Sequence, residues 1–180
     1  MDDDHVRLMH YDPRWRQEFE QTRSSVLQSC QGWVVAVEHI GSTAVAGLVA
    51  RPTVDLMAGV REDAAMAPAS ELIEGLNFRR LDPPPWAGAA IQLCKPRHPL
   101  PGEAEPTHAI FLMHVDCPAW RRAIRLRDWL RAHPEDAIRF EEAKVSRWRS
   151  GQGDRQRYHA DKAIFFSHLE DQIEADEHSR

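Results

Sequence analysis

Residues able to bind a phosphate group lie together in one short segment of the sequence. Glu38-His39-Ile40-Gly41-Ser42-Thr43 joins the end of an apolar, β-branched run to a run of small residues. A glycine at this junction favours a tight turn and close backbone approach. The N–H groups at the start of a following helix attract an anion, and Ser42 can add a hydroxyl group and cap that helix. An ordinary turn with a capping serine is the structural alternative.

Asp55 supplies a carboxylate further along, inside the apolar segment TVDLMAGV from Thr53 to Val60. A carboxylate on a buried strand must be paired, hydrogen-bonded or bound to a metal ion. If the strand lies next to the Gly41-Ser42 turn, the two features together can bind a nucleotide phosphate and a divalent cation, Mg²⁺ or Mn²⁺. The alternative is a structural acid satisfied by the Gly-Ser backbone or by an arginine.

Composition restricts the class of protein. The 180 residues fit a single domain, residues 1–180, and 42% hydrophobic with 28% charged residues is usual for a globular chain. The net charge of −5 argues against bulk nucleic-acid binding as a default role. The Gly41-Ser42 turn and Asp55 instead make a small-molecule nucleotide the expected ligand. The sequence indicates no particular protein partner. We expect the three cysteines to be reduced and mostly buried.

The ends and apolar runs of the chain bear on its location. The N-terminal sequence MDDDHVRLMH is acidic and has no apolar run typical of a signal peptide. The longest uncharged stretch, about Ile40 to Ala50, is too short to cross a bilayer. We therefore expect no membrane association and a cytoplasmic location.

The predicted elements alternate between helices and strands and finish with three helices, which is an α+β arrangement. The predicted helices are Pro13 to Ser29 after an Asp12 cap, a short one after Gly41-Ser42, Ala67 to Leu76, Pro118 to Ala132, Pro134 to Arg149, and a last one carrying Tyr158, Lys162 and Ile173. The predicted strands are Trp33 to Ile40, Thr53 to Val60, Ala90 to Lys95, and His108 to Val115.

Further candidate residues lie on the later helices. Arg127 belongs to an arginine-rich helix, where it can act as a phosphate clamp oriented by Asp128 or belong to a solvated basic face. Tyr158 and Lys162 are one helical turn apart and can reach the same pocket, or be a packing tyrosine and a surface lysine. Three histidines permit a zinc site or are core histidines at strand ends: His39, His108 and His114.

Several separated motifs resemble the GrpB family. HIGSTAVAGLVARPTVDLM is similar to the signature of that family, in which a His-Ile-Gly-Ser-Thr-Ala-Val run precedes a Pro-x-x-Asp strand. The other matching motifs are YDPRW near the start, FLMHV, RLRDWLRAHP, Lys144, and Tyr158 with Lys162. The resemblance spans about residues 8 to 170. It implies a nucleotidyltransferase-like mixed β-sheet core flanked by helices, with a C-terminal helical portion.

The family is in turn similar to nucleotidyltransferases, where Gly-Ser is followed by an Asp-x-Asp or Asp-x-Glu strand. Gly41, Ser42 and Asp55 match that pattern, but Met57 stands where the second acid is expected. Two-metal catalysis requires at least two carboxylates. A substitute ligand is therefore needed for catalysis, and the candidates are Glu38, His39, His114 and Asp116.

The resemblance implies roles for individual residues. The implied catalytic residues are Asp55 and Ser42, and the implied metal ligands are Asp55 and Glu38. The implied substrate-binding residues are His39, Gly41, Ser42, Thr43, Arg127, Lys144, Tyr158 and Lys162. Two functions fit: a metal-dependent nucleotidyltransferase with an unknown acceptor, or a non-catalytic regulatory module that binds a nucleotide or another metabolite.

Overall fold

A computed structural model describes residues 7–100, 105–150, 169–171 and 173–175. Four helices of eight or more residues are present in these ranges: α1 Arg14–Ser29, α2 Met66–Glu74, α3 Pro118–Ala132 and α4 Pro134–Ser150. The strands are β1 Ala36–Ile40, β2 Val54–Val60, β3 Arg79–Leu81, β4 Ile91–Lys95 and β5 His108–His114. Residues 169–171 and 173–175 are also helical.

The five strands form one mixed sheet in the order β1-β2-β5-β4-β3. The central strands β2 and β5 run parallel, with Val54 opposite His108. The other neighbouring pairs are antiparallel. The predicted α+β class is therefore confirmed, with a mixed sheet flanked by helices.

Alternating residues of each strand divide the hydrophobic core between the two faces of the sheet. On one face, Leu56 and Ile110 belong to a buried cluster with Phe19 and Val26 of α1 and Ile73 of α2. On the opposite face the sheet packs against α3, and the buried cluster there consists of Ile40, Met57, Ala87, Ala90, Cys94, Ala109, Phe111, Met113 and Trp120. Asp55 alternates with Val54 and Leu56, so it lies on the α3 face.

A third buried cluster joins the C-terminal helices to the segment after β1. It contains Val45 and Leu48 from that segment, Leu130 of α3, Phe140 of α4, and the C-terminal Leu169 and Ile173. The segment that follows Gly41 is therefore held between the sheet and the C-terminal helices.

Most predicted elements are confirmed, with differences at their ends. The strand predicted from Trp33 begins at Ala36, because Trp33 and Val35 are 41% and 45% exposed and the Trp33 N–H instead closes a turn onto the Cys30 carbonyl. Strand β3 was not predicted: all three of its residues are exposed, so it has no apolar pattern. The predicted last helix lies largely outside the described residues.

Two other expectations bear on the chemistry of the chain. Cys30 and Cys94 are free, buried thiols, and Cys117 is a free, half-buried one, as expected. In the described ranges, no helix is both long and apolar enough to cross a membrane.

Candidate functional site

The turn after β1 brings the Asp55 carboxylate against the backbone. Gly41 has φ +73° and ψ −172°, and Ser42–Ala44 follow as a single 3-10 turn. Asp55 lies opposite Ile40 on the neighbouring strand. Its Oδ2 atom is 2.9 Å from the position that a β-carbon would take on residue 41. Only glycine permits both this φ and this approach, so the predicted meeting of Asp55 with the Gly41-Ser42 turn is confirmed.

Helix α4 supplies a cation to the same turn. The Lys144 Nζ atom donates a hydrogen bond to Ser42 Oγ at 3.3 Å and another to the Val49 carbonyl. Lys144 is only 5% exposed, and its charge lies 4.9 Å above the Phe140 ring. Glu141 accepts a hydrogen bond from the Val49 N–H at 2.7 Å. Two neighbouring side chains of α4 therefore hold the segment from Ser42 to Val49.

Helix α3 holds the turn from another side through two arginines. Arg127 Nη1 donates to Glu38 Oε2 at 2.6 Å and to the His39 carbonyl at 3.0 Å, while its Nε donates to Asp128 at 2.7 Å. Arg131, one helical turn later, donates from Nε and Nη2 to the Ala44 carbonyl at 3.0 and 2.8 Å. The two arginines thus bind backbone carbonyls on either side of Gly41-Ser42, those of His39 and Ala44.

Burial disfavours the charged form of both arginines and so acts to lower the pKa of each guanidinium group. For Arg127, the hydrogen bonds to Asp128 and Glu38 outweigh burial and raise the guanidinium pKa above its ordinary value. For Arg131, burial and the charge of Arg127 lower the pKa. Arg127 therefore lies next to the turn, and its Nε and Nη1 donors are directed to groups of the protein.

His39 lies on the opposite face of the sheet from Asp55. Its ring stacks on Phe19 with centroids 4.7 Å apart, and its Nε2 is 3.0 Å from the Thr43 hydroxyl. Burial, together with the charges of Arg131 and Arg127, lowers the pKa of His39 to about 3. The neutral His39 and the buried Thr43 therefore contact each other on the α1 side of the turn and stabilise it. In this arrangement the two side chains do not face the Asp55 carboxylate.

The remaining candidate ligands lie away from Asp55. His114 is the last residue of β5, and Asp116 comes two residues later. Because β2 and β5 are parallel, both lie at the end of the sheet opposite to Asp55. His114 Nε2 is 2.7 Å from Asp63 there. His108 is at the same end as Asp55 but on the α1 face, where its ring contacts the Thr107 hydroxyl. Neither a second acid nor a three-histidine site forms around Asp55 from these residues.

The donors near Asp55 fit one kind of metal site and not another. Met57 is fully buried on the Asp55 face, and the Glu38 carboxylate is paired with Arg127. No group of three or more histidine, cysteine, aspartate and glutamate side chains is placed to hold a metal ion in the described part of the chain. One carboxylate with a neighbouring hydroxyl group suits a Mg²⁺ ion that keeps phosphate and water ligands, but not a two-metal centre.

The arginine-rich face of α3 is partly paired with the C-terminal residues. Arg122 contacts Glu170 at 3.0 Å, and Arg125 approaches Glu174 at 3.9 Å. Neither a phosphate clamp nor a fully solvated face describes these two arginines. Tyr158 and Lys162, the other predicted binding residues, lie outside the described residues.

The sequence analysis did not identify the roles of Arg131 and Glu141. Arg131 follows Arg127 by one turn on α3, and Glu141 lies close to Lys144 on α4. That spacing places each pair on one helix face and is the signal that would have indicated them.

A comparison with known families identifies the arrangement. The model of the family described as GrpB protein matches residues 5–172. The chain belongs to the GrpB family. The crystal structure of conserved protein GrpB from Enterococcus faecalis has the same fold, with a TM-score of 0.77, 23% identity, and coverage of 92% of this chain and 96% of that one.

Curated relatives of this chain carry UPF0157 names. A UPF0157 protein of Pseudomonas aeruginosa is 31% identical over 162 residues, covering 87% of this chain and 63% of the relative. The UPF0157 protein YqkA of Bacillus subtilis is 27% identical over 135 residues, covering 75% of this chain and 37% of the relative. The chain thus spans about two thirds of the first relative and little more than a third of the second.

Proposed function

We propose that this GrpB protein binds a nucleotide, together with a divalent cation, at the turn formed by Gly41 and Ser42. The observation that carries the proposal is the Asp55 carboxylate, which lies against the backbone of Gly41. Ser42 directly follows this glycine, and the buried Lys144 contacts its hydroxyl group. Nucleotidyltransferases place the same types of residue around a nucleoside triphosphate.

Each side chain has a distinct task in this proposal. Asp55 provides the protein ligand for Mg²⁺ or Mn²⁺, and phosphate oxygens and water complete the coordination. A bound cation would neutralise charge on the phosphate oxygens. Ser42 offers a hydroxyl group to the ligand, and Lys144 adds a positive charge at that hydroxyl. Arg127 and Arg131 keep the backbone of the turn in place, which is the positioning that phosphate chemistry depends on.

Transfer of the nucleotidyl group to an acceptor is the catalytic form of this proposal. The site offers positioning and charge neutralisation, the two contributions that phosphoryl-type transfer requires most. Tyr158 and Lys162 are proposed to add contacts with the nucleotide. The acceptor of the nucleotidyl group would have to be identified by experiment.

A non-catalytic regulatory module is the second candidate, and two observations favour it. Met57 is fully buried where the second acid of a two-metal site would lie, and Glu38 is engaged by Arg127. A site with one carboxylate can bind a nucleotide with its cation and report the binding to a partner without transfer.

Replacing Asp55 by asparagine tests the proposal. We expect nucleoside triphosphates with Mg²⁺ or Mn²⁺ to stabilise the parent by about 2.7 kcal/mol at ~100 times their dissociation constant. Asp55→Asn keeps the shape but removes the charge, so this metal-dependent stabilisation should disappear while the unliganded variant stays folded. The measurement is a thermal-shift titration with and without the cation.

Asp82→Asn is the matched control, because Asp82 is an exposed acid just beyond β3. It should retain the full ligand response. A loss of about 1–3 kcal/mol of stability in Asp55→Asn with unchanged ligand binding would mean that Asp55 is a structural acid. Transfer of a labelled nucleotide by the parent, absent in Asp55→Asn, would separate the enzyme from the regulatory module.

A further inference from the structure

The stretch of chain between Val49 and Asp55 begins and ends beside the Gly41-Ser42 turn. The Lys144 Nζ atom contacts both Ser42 Oγ, at 3.3 Å, and the Val49 carbonyl, so Val49 lies close to the turn. At the other end of the stretch, the Asp55 carboxylate lies against Gly41. Residues between these two points are therefore held near the candidate site.

Arg51 lies inside this stretch, on backbone that is fixed from both sides. The residue before it, Ala50, exchanges two backbone hydrogen bonds with Met9, of 2.8 and 2.9 Å. The Arg51 carbonyl accepts a hydrogen bond from the Thr53 N–H at 2.7 Å, which makes a tight turn directly before β2. Ala50 and Thr53 are buried, whereas Arg51 is half-buried. The base of the arginine is thus held in place while part of its side chain still meets solvent.

Arg51 differs from the other cations near the turn in what its donors contact. Lys144 donates to a hydroxyl group and a carbonyl of the protein. Arg127 and Arg131 donate to carbonyls on either side of the turn. The Arg51 guanidinium group forms no hydrogen bond or ion pair with the part of the chain that the structure describes. Its donors therefore remain open to a ligand, whereas those of the other three cations hold the protein together.

The charge of Arg51 acts on the face of the sheet that carries Asp55. Cys94 is buried on that face. Burial raises the pKa of the Cys94 thiol to about 11, and among the smaller effects Asp55 raises it and Arg51 lowers it. On the opposite face, burial lowers the pKa of His108 and the charge that acts on it is that of Lys95. This difference between the faces agrees with the backbone path, which brings Arg51 and Asp55 to one site.

We propose that Arg51 binds the phosphate group of the ligand at the Gly41-Ser42 turn, a contact that the α3 arginines do not make. The inference rests on the proposed nucleotide site and names the side chain with which that site attracts an anion. The Asp55 carboxylate repels phosphate unless a metal ion lies between the two groups. A guanidinium group instead binds phosphate oxygens directly, through paired N–H donors.

Nucleotide binding tests the role of Arg51. In a calorimetric titration of the full chain with ATP and Mg²⁺, Arg51→Gln should weaken binding about tenfold, because a charge-assisted contact is lost. Arg51→Lys keeps the charge but not the paired donors, so it should lose less affinity. It also takes the place of Arg51→Gln if that variant unfolds. Arg61→Gln is the matched control, an exposed arginine that directly follows β2, and should bind as the parent does.

Salt dependence distinguishes a phosphate contact from a structural role. Added salt screens the attraction between an arginine and an anion, so ATP affinity should fall more steeply with salt in the parent than in Arg51→Gln. Urea unfolding without ligand should give nearly the same stability for both, since no hydrogen bond or ion pair of the described protein is removed. Lower stability of Arg51→Gln together with an unchanged salt dependence would assign Arg51 a structural role and overturn the inference.

Inorganic pyrophosphate in the presence of EDTA separates this inference from the proposed function. The parent should bind pyrophosphate, Arg51→Gln should bind it about tenfold more weakly, and Asp55→Asn should bind it at least as well as the parent. ATP binding with Mg²⁺ that is lost in Asp55→Asn but unchanged in Arg51→Gln overturns the role of Arg51 and leaves the nucleotide site standing. Arg51-dependent pyrophosphate binding without ATP binding supports Arg51 and contradicts the nucleotide. A parent that binds neither overturns both.

Discussion

At the scale of single residues, Arg127 is the side chain that ties α3 to the end of β1. It is 10% exposed and bonds to Glu38, to the His39 carbonyl and to Asp128. Its Nε and Nη1 donors are therefore already engaged by these groups. We expect its effect on ligand binding to be indirect, through the position of the Gly41-Ser42 turn.

Replacing Arg127 by glutamine distinguishes this role from that of a phosphate clamp. We expect Arg127→Gln to lower the free energy of unfolding by about 1–3 kcal/mol, because Glu38 and the His39 carbonyl lose a charged donor. Urea unfolding measures the loss, and a cycle with Glu38→Gln should show coupling between the two substitutions. Full stability with strongly weakened nucleotide binding would instead assign Arg127 to the ligand.

Adjacent-strand geometry explains which part of the site the sequence could predict. Gly41 and Asp55 flank a short connection between β1 and β2, so their meeting follows once the two strands are neighbours. The partner of Arg127 could not be predicted in this way, because it depends on how α3 crosses β1. His39 was assigned to the ligand, but strand alternation turns it to the face opposite Asp55.

At the scale of elements, Gly59 sets how closely α3 approaches the sheet. A β-carbon on this residue would lie 2.3 Å from Val115 Cγ1 and about 3 Å from two ring carbons of Trp120. Trp120 is buried in the first turn of α3. The same helix carries Arg127 and Arg131, so its distance from the sheet also sets the position of the turn.

Gly59→Ala should therefore destabilise the protein and disturb the site together. Overpacking of this kind typically costs about 1–3 kcal/mol, and nucleotide affinity should fall because α3 is displaced. Chemical unfolding and a ligand titration on the same sample measure both effects. Adding Trp120→Leu should restore part of the affinity, and failure of this rescue, with Trp120→Leu itself folded, would show that α3 does not transmit the change.

Element boundaries show the limits of sequence patterns. Helix α3 was predicted with the bounds it has, since Pro118 begins it and Pro134 follows its end. Strand β3 had no signal, because its three residues are exposed and are ordered only by pairing with β4. The start of β1 was misplaced because Trp33 and Val35 are apolar but exposed.

At the scale of the whole molecule, two buried histidines make stability depend on pH. Burial is the main cause that lowers the pKa of His39 to about 3 and that of His108 to about 4, from the usual 6.5. Between these values the unfolded chain binds protons that the folded chain does not. Stability is therefore complete above about pH 6.5 and is lost as the pH falls toward 4.

Each histidine should contribute a slope of up to about 1.4 kcal/mol per pH unit in this window. Urea unfolding at about pH 7.5 and about pH 5 measures the combined slope. His39→Gln should remove about half of the histidine contribution and keep the remainder, which comes from His108. An unfolding free energy that does not change with pH between these conditions would contradict the burial of both rings.

The parallel pairing of β2 with β5 also determines the order in which the chain can fold. The pairs β1–β2 and β3–β4 join segments that are close in sequence, whereas Val54 meets His108 only after α2, β3 and β4 have been enclosed in a loop. Closing long loops slows folding, since chain entropy is lost before the contacts are gained. Insertion of β5 between β2 and β4 is thus the costliest closure in the described sheet. Helix α3 follows β5 in the chain and packs on the completed sheet, so a chain that still lacks this insertion has local strand pairs but not the two arginines that hold the Gly41-Ser42 turn.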